Sequence, residues 1–459
     1  MQDISCFTAY DIRGRLGIDL NEEIVGRIGR GFARALAARR VVVGHDCRAS
    51  SLALKEALVA ALIAEGVEVL DLGLAGTEEM YWATTEFDAD GGVEVTASHN
   101  PLDYNGMKMV RKGSAPLDRE SEVDKIKQLA EANLFGPPRP GGSRLDVSGA
   151  ARASYVAAVI AFVDLAALRP LRIVVNCGNG AAGPTFDAIA KALADKGAPL
   201  TFLPLHYEPD GSFPHGIPNP LLPQNRPATA REVRRTIADL GIAFDGDFDR
   251  CFFFDAEGEF IDGEYIVGLL AQAFLAKEPG ATIIHDPRVI WNTQDVVAHG
   301  GGRAVVSKTG HAFMKQALRN HQAVYGGEMS AHHYFRDFVS SDSGMIPWLL
   351  VAELMGRTGK SLAEMVADRR KAFPSSGEIN FSLADPKAAV ARARAAFEPI
   401  ADFVDEIDGL SCNFESWRFN LRSSNTEPVV RLNVESRGDV NILLEKVKEI
   451  SDLLTLGSP

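Results

Sequence analysis

In each of three successive stretches of the chain, short apolar segments alternate with amphipathic helical segments. This alternation limits the folds that the chain can adopt. Val41–Val43 and Leu171–Asn176 have the composition of buried strands, whereas residues 21–39 and 51–65 have helical periodicity. Strands that alternate with helices favour mostly parallel sheets that are covered on both faces. The pattern therefore predicts three tandem α/β units, although no repeat of residue identity relates them.

The pattern changes near residue 375. A strand at Glu378–Leu383, a helix at 385–400, further strands within 403–434 and a final helix at 439–454 predict a smaller antiparallel α+β domain. Several domains are expected for 459 residues, because single hydrophobic cores stop growing beyond about 250–300 residues. The predicted domains are 1–146, 147–252, 253–370 and 371–459.

Charge and cysteine usage exclude several classes of protein. A formal net charge of -13 argues against binding the phosphate backbone of nucleic acids, which usually needs a basic surface. We find no signal-peptide pattern at the N-terminus and no stretch near the roughly 18 apolar residues of a membrane span, so a cytoplasmic protein without a membrane partner is expected. The five scattered cysteines contain no CxxC pair, and they predict reduced thiols rather than a disulfide framework or a zinc site.

The segment Thr96-Ala97-Ser98-His99-Asn100-Pro101 follows a predicted strand at Gly92–Thr96. A hydroxyl at this position is accessible at the carboxyl end of a strand, where ligands collect in α/β sheets. Ser98 is therefore a candidate nucleophile, and Lys108 lies close enough in sequence to offset charge on a transferred phosphoryl group. A serine that only caps local backbone N–H groups is the alternative.

Asp245, Asp247 and Asp249 alternate directly after a predicted strand at Gly241–Phe244. Alternation places three oxygen donors on one side of an extended segment, which suits Mg²⁺. An EF-hand would need Gly at the sixth position and Glu at the twelfth, but these positions hold Arg250 and Ala256. A solvated acidic turn remains the alternative, although three adjacent buried carboxylates would repel one another without a cation.

Four further segments supply groups that can bind sugar hydroxyls or phosphate. Gly327-Glu328-Met329-Ser330-Ala331-His332-His333 follows a predicted strand near 323–325, while Asp286-Pro287-Arg288 and Ser307-Lys308-Thr309-Gly310-His311 lie on similar connections. Arg422-Ser423-Ser424-Asn425-Thr426 combines a guanidinium with hydroxyl and amide groups in a tight turn, as a phosphate-binding loop would. Each segment also fits an ordinary polar loop, and two adjacent histidines seldom bind one metal ion.

One segment points towards a different class of protein. Asn176-Cys177-Gly178-Asn179-Gly180-Ala181-Ala182-Gly183 matches the dinucleotide-binding pattern GxGxxG, with Glu208 as a possible ribose partner. A nucleotide site would leave the serine, aspartate and arginine segments unexplained. We therefore prefer a structural turn with Pro184 at the first helical position.

Taken in order, TASHNP, DGDFDR, GEMSAHH and RSSNTEP resemble the motifs of the α-D-phosphohexomutase superfamily over the whole chain. The sugar-loop residues GEMS followed by histidine, together with AYDIRG, are most similar to the phosphomannomutase/phosphoglucomutase branch and within it to bacterial phosphomannomutases. The resemblance implies three related α/β/α domains with mixed sheets and a C-terminal α+β domain around a central active-site cleft. Ala331 and Ser423 depart from the pattern, since Gly and Ala are commoner there.

The resemblance also implies an activity, which is the reversible conversion of mannose 6-phosphate and mannose 1-phosphate through a phosphoserine and a hexose 1,6-bisphosphate, feeding GDP-mannose and polysaccharide synthesis. It implies Mg²⁺ as cofactor, hexose 1,6-bisphosphate as activator, hexose phosphates as partners and a monomer or dimer. By motif match, the metal ligands are Ser98, Asp245, Asp247 and Asp249, and the catalytic residues are Ser98, His99, Lys108, Arg250, His311 and His332. The substrate-binding residues are Tyr10, Arg13, Arg288, Thr309, Gly310, Glu328, Ser330, Arg422, Ser424, Asn425 and Thr426.

Two kinds of alternative remain at this stage. A phosphoglucomutase, a dual-specificity phosphohexomutase or a Mg²⁺-dependent phosphatase would use related chemistry. A non-catalytic sugar-phosphate-binding protein would use the same contacts without turnover. Because mannose and glucose differ in the orientation of one hydroxyl, the motifs do not separate the two sugars.

Overall fold

A computed structural model describes residues 3–8, 10–423 and 429–456 of the chain. The chain forms two compact units, of which the first comprises Met1–Phe260 and Ala331–Gly359 and the second comprises Ile261–Ser330 and Lys360–Pro459. Within the described residues, no helix has both the length and the apolar character that crossing a bilayer requires.

The first sheet has the order β1-β5-β4-β2-β3-β7, with β6 paired to β5. The strands β2, β3, β4 and β7 run parallel, while β5 is antiparallel to both β4 and β1. The strands are β1 (Ile12–Arg15), β2 (Arg40–His45), β3 (Glu68–Leu74), β4 (Gly91–Val95), β5 (Tyr104–Arg111), β6 (Ala115–Pro116) and β7 (Ser143–Asp146), and the helices are α1 (Glu22–Ala35), α2 (Ser51–Ala64), α3 (Thr77–Glu86) and α4 (Asp124–Ala132).

The second sheet has the order β12-β11-β10-β8-β9, in which β8, β9 and β10 are parallel and β11 is antiparallel to β10. Its strands are β8 (Leu171–Asn176), β9 (Leu200–Leu205), β10 (Leu240–Phe244), β11 (Cys251–Phe254) and β12 (Phe260–Ile261), and its helices are α5 (Ser148–Ile160), α6 (Ala182–Asp195) and α7 (Pro227–Thr236). Helix α6 begins two residues before Pro184, so the predicted first helical position of this proline is wrong.

A third group of strands is divided between the two units. The parallel strands β13, β14 and β15 belong to the second unit, and the hairpin of β16 and β17 belongs to the first. The strands are β13 (Thr282–His285), β14 (Arg303–Val306), β15 (Tyr325–Gly327), β16 (His333–Phe335) and β17 (Ser341–Asp342), and the helices are α8 (Gly263–Lys277), α9 (Trp291–His299), α10 (His311–His321), α11 (Met345–Thr358) and α12 (Leu362–Ala372).

The C-terminal sheet is antiparallel with the order β18-β22-β21-β20-β19, as the change of pattern near residue 375 predicts. One face of the sheet packs on two helices around buried side chains such as Phe397, Phe419 and Leu432. The elements are β18 (Ser375–Ser382), β19 (Phe403–Asp405), β20 (Leu410–Asn413), β21 (Trp417–Ser423), β22 (Val429–Ser436), α13 (Pro386–Phe397) and α14 (Val440–Thr455).

A buried ion pair joins this sheet to the start of α9 within the second unit. The guanidinium of Arg418 donates to Glu435 at 2.8 Å and to the backbone carbonyl oxygens of Pro287 and Arg288, each at 2.9 Å. Glu435 also accepts a hydrogen bond from the backbone N–H of Ile290 at 2.7 Å. The pair therefore fixes the backbone of the Asp286-Pro287-Arg288 segment.

We predict that Glu435→Gln destabilises the protein by about 3–5 kcal/mol, because the variant leaves the buried Arg418 guanidinium without a counter-charge. The free energy of unfolding in urea measures this loss. Glu415→Gln, at an exposed glutamate between β20 and β21, is the control and should change the value by less than about 0.5 kcal/mol. Equal stability of the two variants would contradict the structural role of the pair.

Candidate active site

The serine segment leaves β4 and turns sharply at Ser98, whose φ is +47°. The Ser98 N–H donates to Thr96 Oγ1 at 2.8 Å, which closes the turn. The Ser98 hydroxyl donates to Asp245 Oδ2 at 2.7 Å. A left-handed backbone is costly for serine, so the surrounding contacts must hold it there, as is common at functional sites.

Arg48 holds the serine segment in place. Its guanidinium donates to four backbone carbonyl oxygens, those of Ser98 at 2.9 Å, Asn100 at 2.6 Å, Pro101 at 2.9 Å and Tyr104 at 3.2 Å. The side chain is only 3% exposed. Because hydrogen bonds from an ionised donor are stronger than neutral ones, this single buried residue fixes the backbone that carries the candidate nucleophile.

The three aspartates lie on a tight turn after β10. The predicted extended segment is wrong, because the backbone turns between β10 and β11 and Phe248 adopts a φ of +49°. Gly246 packs so closely that a Cβ atom there would lie 2.4 Å from the carbonyl oxygen of Ser98. Only glycine allows this approach, and the approach brings the aspartate turn beside the serine.

The three carboxylates form one buried cluster. Asp245, Asp247 and Asp249 each offer an oxygen, and these atoms lie within 4.8 Å of one another. All three residues are at most 1% exposed. Asp247 Oδ1 and Asp249 Oδ1 have no hydrogen-bond partner among the described residues. Hard oxygen donors with unused lone pairs fit a divalent cation, so these residues can hold one.

Lys108 supplies a positive charge to this cluster. It lies on β5 opposite Glu94 of β4, and its ammonium group contacts Asp247 at 2.8 Å and also Asp249. Burial acts to lower the pKa of Lys108, but the two carboxylates outweigh burial and raise it. Lys108 therefore stays protonated where negative charge is concentrated.

The carboxyl groups of the cluster differ in their affinity for protons. Burial and the charge of Asp247 raise the pKa of Asp249 to about 6. Burial opposes a low pKa at Asp247, but Lys108 and the hydroxyl of Thr77, which donates at 2.5 Å, lower it. Asp247 is thus the more strongly ionised of the pair.

Arg250 and His99 complete the surroundings of Ser98. The Arg250 guanidinium donates to Asp245 Oδ2 at 2.9 and 3.0 Å and also contacts His99 Nδ1. Burial, followed by the charge of Arg250, lowers the pKa of His99. His99 is therefore a neutral ring whose Nδ1 accepts a hydrogen bond from Arg250. Its Nδ1 also lies 3.0 Å from Ser98 Oγ.

His332 lies on the other side of Asp249. Its Nδ1 is 3.9 Å from Asp249 Oδ1 and 3.0 Å from Asp342 Oδ2. Ala331, at the position where the resemblance favours Gly, adopts a φ of +71°, in the region that glycine occupies most readily. His333 is fully buried and belongs to β16.

Within the second unit, Arg288 joins the two residues expected to bind sugar hydroxyls. Its guanidinium donates to Asp286 at 3.0 Å and to Ser330 Oγ at 3.1 Å, and it lies 3.8 Å from Glu328. Asp286 also accepts from the N–H of Met329 at 2.9 Å. Burial opposes the charge on Arg288, but Asp286 and Glu328 raise its pKa.

The segment before α10 contacts Glu328, which also lies near Arg288. The N–H of Gly310 donates to Glu328 Oε1 at 2.9 Å, and the N–H of Thr309 donates to Asp408 at 3.3 Å. Thr309 Oγ1 is buried without a hydrogen-bond partner among the described residues. His311 begins α10 and is half-buried.

Arg422 is the second-last residue of β21 and lies close to Arg288. It donates to Asp408 at 3.0 Å and to Glu378 at 3.5 Å, and Arg431 of β22 stands directly opposite. Burial, followed by the charge of Arg288, lowers the pKa of Arg422. Converging guanidinium groups favour a bound anion. The other residues expected in this loop, Ser424, Asn425 and Thr426, lie outside the described residues.

Two expected substrate contacts lie before and within β1. Arg13 donates to the carbonyl oxygens of Thr96 and Ile12, each at 2.8 Å, so it adjoins the serine segment. Tyr10 precedes β1 and is half-buried. The structure therefore brings Arg13 to Ser98 through the backbone of Thr96.

The GxGxxG-like turn is part of the support of the aspartates. The N–H of Ala181 donates to the carbonyl oxygen of Gly246 at 3.0 Å, and a Cβ atom on Gly180 would lie 2.8 Å from that oxygen. The glycine is thus explained by close packing against the aspartate turn. This observation favours the structural interpretation of the segment.

Sequence reasoning missed several residues of the site. Arg48 contacts the serine segment, Thr77 contacts Asp247, and Asp342 contacts His332. Asp408 and Arg431 both adjoin Arg422. Arg48 could have been found, because it follows β2 at the carboxyl end of a parallel sheet. The others are single polar residues without a motif.

Comparison with known proteins identifies the family. The chain matches all four domain models of phosphoglucomutase/phosphomannomutase proteins, with alpha/beta/alpha domain I at residues 5–136, domain II at 153–258, domain III at 262–373 and the C-terminal domain at 378–453. The chain belongs to the phosphoglucomutase/phosphomannomutase family, and it is an enzyme of the isomerase class. The predicted fold class is thereby confirmed.

Relatives match the chain over almost its full length. A phosphomannomutase of Salmonella montevideo is 57% identical over 99% of this chain and 100% of its own length. A protein of Xanthomonas campestris pv. campestris strain ATCC 33913, described as phosphohexose mutases, is 52% identical over 98% of this chain and 99% of its own length. The crystal structure of a Burkholderia thailandensis phosphoglucomutase/phosphomannomutase family protein, 32% identical, aligns with a TM-score of 0.86 over 100% of this chain and 99% of that one.

We predict that Arg48→Met lowers kcat by at least tenfold, since a displacement of about 1 Å at a reacting group can reduce the rate about 100-fold. The free energy of unfolding should fall by about 2–4 kcal/mol, because buried carbonyl groups lose their donors. Mutase assays and urea titrations measure both effects. Arg40→Met, on the exposed start of β2, is the control, and an Arg48→Met variant as active as this control would contradict the role of Arg48.

We predict a pH effect on stability from His333, because burial and then the neighbouring His332 lower its pKa to about 3. Below the ordinary pKa of about 6.5 the unfolded chain takes up a proton that the folded protein does not, so stability falls as the pH falls. Between pH 7.5 and 5.0 this loss should be about 2 kcal/mol smaller in His333→Gln than in the wild type. Urea unfolding at several pH values in this range measures the loss in each protein. The same loss of stability in His333→Gln and in the wild type would contradict the prediction.

Proposed function

We propose that the chain is a phosphomannomutase that interconverts mannose 6-phosphate and mannose 1-phosphate through phosphorylated Ser98 and a hexose 1,6-bisphosphate. Curated relatives more than 50% identical over nearly the whole chain are named phosphomannomutase. The observation that carries the proposal is the hydrogen bond of 2.7 Å between the Ser98 hydroxyl and one member of a buried three-aspartate cluster.

The roles of the first-unit residues follow from their charges. Asp245, Asp247 and Asp249 would hold Mg²⁺, which supplies positive charge to a transferring phosphoryl group. Lys108 remains an ammonium and lies against the same carboxylates, so it can stabilise a phosphate on Ser98. Arg48 holds the backbone of Ser98 through its carbonyl oxygen and so positions the residue that carries the hydroxyl.

The second-unit residues account for substrate recognition. Glu328 and Ser330 provide acceptor and hydroxyl groups for sugar hydroxyls, and both are positioned by Arg288. Arg422 together with Arg431 would bind the phosphate that does not react. Because the product is made by moving a phosphate from one sugar oxygen to another, the two phosphates of the bisphosphate must exchange roles.

Transfer conserves the phosphoryl group. Phosphorylated Ser98 gives its phosphoryl group to the free sugar hydroxyl, and the bisphosphate then returns its other phosphoryl group to Ser98. A hexose 1,6-bisphosphate would therefore act as an activator that phosphorylates resting enzyme. The oligomeric state, monomer or dimer, stays a prediction, as does a role in GDP-mannose and polysaccharide synthesis.

A dual-specificity phosphohexomutase is the second candidate, and the relative described as phosphohexose mutases favours it. Mannose and glucose 1-phosphates differ in one hydroxyl, so we would compare kcat/KM for both in coupled assays. A ratio near one would replace the phosphomannomutase assignment by dual specificity. Inorganic phosphate released in proportion to turnover would instead indicate a phosphatase.

We predict that Ser98→Ala lowers kcat by at least 1,000-fold, on the order expected when a covalent nucleophile is lost, while the dissociation constant for mannose 1-phosphate changes little. Steady-state kinetics and calorimetry measure the two quantities. Ser212→Ala is a matched control, because this exposed serine also donates to an aspartate at 2.7 Å.

The state of Ser98 separates an enzyme from a binding protein. Wild-type protein treated with glucose 1,6-bisphosphate should gain the mass of one phosphoryl group, and Ser98→Ala should not. Full mutase activity in Ser98→Ala, or no phosphorylation of an otherwise folded wild type, would contradict the covalent mechanism.

A further inference from the structure

The hairpin formed by β16 and β17 places the buried carboxylate of Asp342 next to the ring of His332. Tyr334 and Asp342 are directly opposite in the antiparallel register, and the N–H of Ser343 donates to the carbonyl oxygen of His333 at 3.0 Å. Asp342 is fully buried, and its Oδ2 lies 3.0 Å from His332 Nδ1. The backbone pairing therefore holds the Asp342 carboxylate against Nδ1 of the His332 ring.

The hairpin itself is held rigidly. Phe338, in the turn, is fully buried and stacks on Trp82 with ring centroids 5.6 Å apart. The N–H of Ser341 donates to the carbonyl oxygen of Phe338 at 2.8 Å. A rigid support matters because a proton-transferring group must keep its geometry to be effective.

The hydrogen bond determines which ring nitrogen is available. An ionised carboxylate only accepts hydrogen bonds, so Nδ1 of His332 must carry the hydrogen. Among the described residues, this ring is also faced by Asp249, whose Oδ1 is 3.9 Å from the same Nδ1, by the charge of Arg250, and by Tyr334, whose ring centroid is 6.1 Å away. His332 is 20% exposed, so Nε2 is the nitrogen left for a ligand.

We propose that Asp342 is a positioning residue, which orients His332 so that Nε2 exchanges a proton with the attacking and leaving sugar hydroxyl. This inference rests on the proposed mutase function. It extends that function by assigning a role to a residue that lies outside the four recognised motifs and ten positions beyond His332 in the chain.

The proton balance of the two half-reactions is symmetrical. In the first half-reaction, the sugar oxygen forms a bond to phosphorus and gives its proton to His332 Nε2. The bond between Ser98 Oγ and phosphorus breaks, and Ser98 Oγ takes up a proton from solvent. In the second half-reaction Ser98 Oγ loses that proton and regains a phosphoryl group, and His332 returns its proton to the sugar oxygen that is released. No net proton is consumed.

The test is a double-mutant cycle on the full-length enzyme with mannose 1-phosphate and saturating glucose 1,6-bisphosphate. Asp342→Asn is nearly isosteric, but its amide can also donate towards Nδ1 and so favours the wrong tautomer. We expect kcat to fall about 10- to 100-fold, within the contribution of a positioned acid or base, while KM changes less than about threefold. In a His332→Ala background, Asp342→Asn should cause no further loss, because residues that act through one another are not additive.

Several outcomes would overturn the inference. Multiplicative losses in the double variant, or a change confined to KM, would indicate that Asp342 acts independently of His332. Asp337→Asn, an exposed aspartate in the same hairpin that pairs with Arg336, is the matched control and should leave both constants unchanged.

Two further controls keep the result unambiguous. If Asp342→Asn melts well below the wild type, Asp342→Glu takes its place, with the same non-additivity expected because the longer side chain misplaces the carboxylate. A wild-type protein without mutase activity would contradict the proposed function itself. An active wild type together with an unaffected Asp342→Asn would contradict only the role of Asp342.

Discussion

Three buried carboxylates within 4.8 Å of one another are the constraint on which the rest of the first unit depends. Like charges at this distance repel, and burial strengthens the repulsion because little solvent screens it. The structure compensates with the ammonium of Lys108 and the guanidinium of Arg250, and two carboxylate oxygens are left for a cation. The same arrangement that would be unstable as a structural feature is therefore suited to binding a charged, transferring group.

The serine depends on this cluster and on its own support. Its hydroxyl is directed at Asp245, but its position is set by the backbone, which Arg48 holds by a hydrogen bond and Gly246 approaches closely. A strained residue persists only where its surroundings determine it fully, and Ser98 meets that condition. Function and packing are thus difficult to separate at this point of the chain.

The sequence allowed the motifs and most elements to be predicted, because each is a local pattern. β8 has the predicted bounds, whereas the predicted extended aspartate segment is a turn. Helices α3 and α11 escaped prediction, since they are buried on several sides and have little amphipathic contrast. The domain boundaries and the roles of the site residues stay predictions. Arg48 contacts groups distant in sequence, and only its place after β2 could have indicated it. Asp342 contacts His332 from outside any motif, so no local pattern indicates it.

The buried pair of Arg418 and Glu435 separates two tasks within the Asp286-Pro287-Arg288 segment. Arg418 donates to the backbone of Pro287 and Arg288, whereas Glu435 accepts from the backbone of Ile290. Because these contacts use backbone groups, they hold the path of the segment without engaging its side chains. The carboxylate of Asp286 and the guanidinium of Arg288 are thereby left for Met329 and Ser330, so the path of the segment and its polar contacts are secured by different groups.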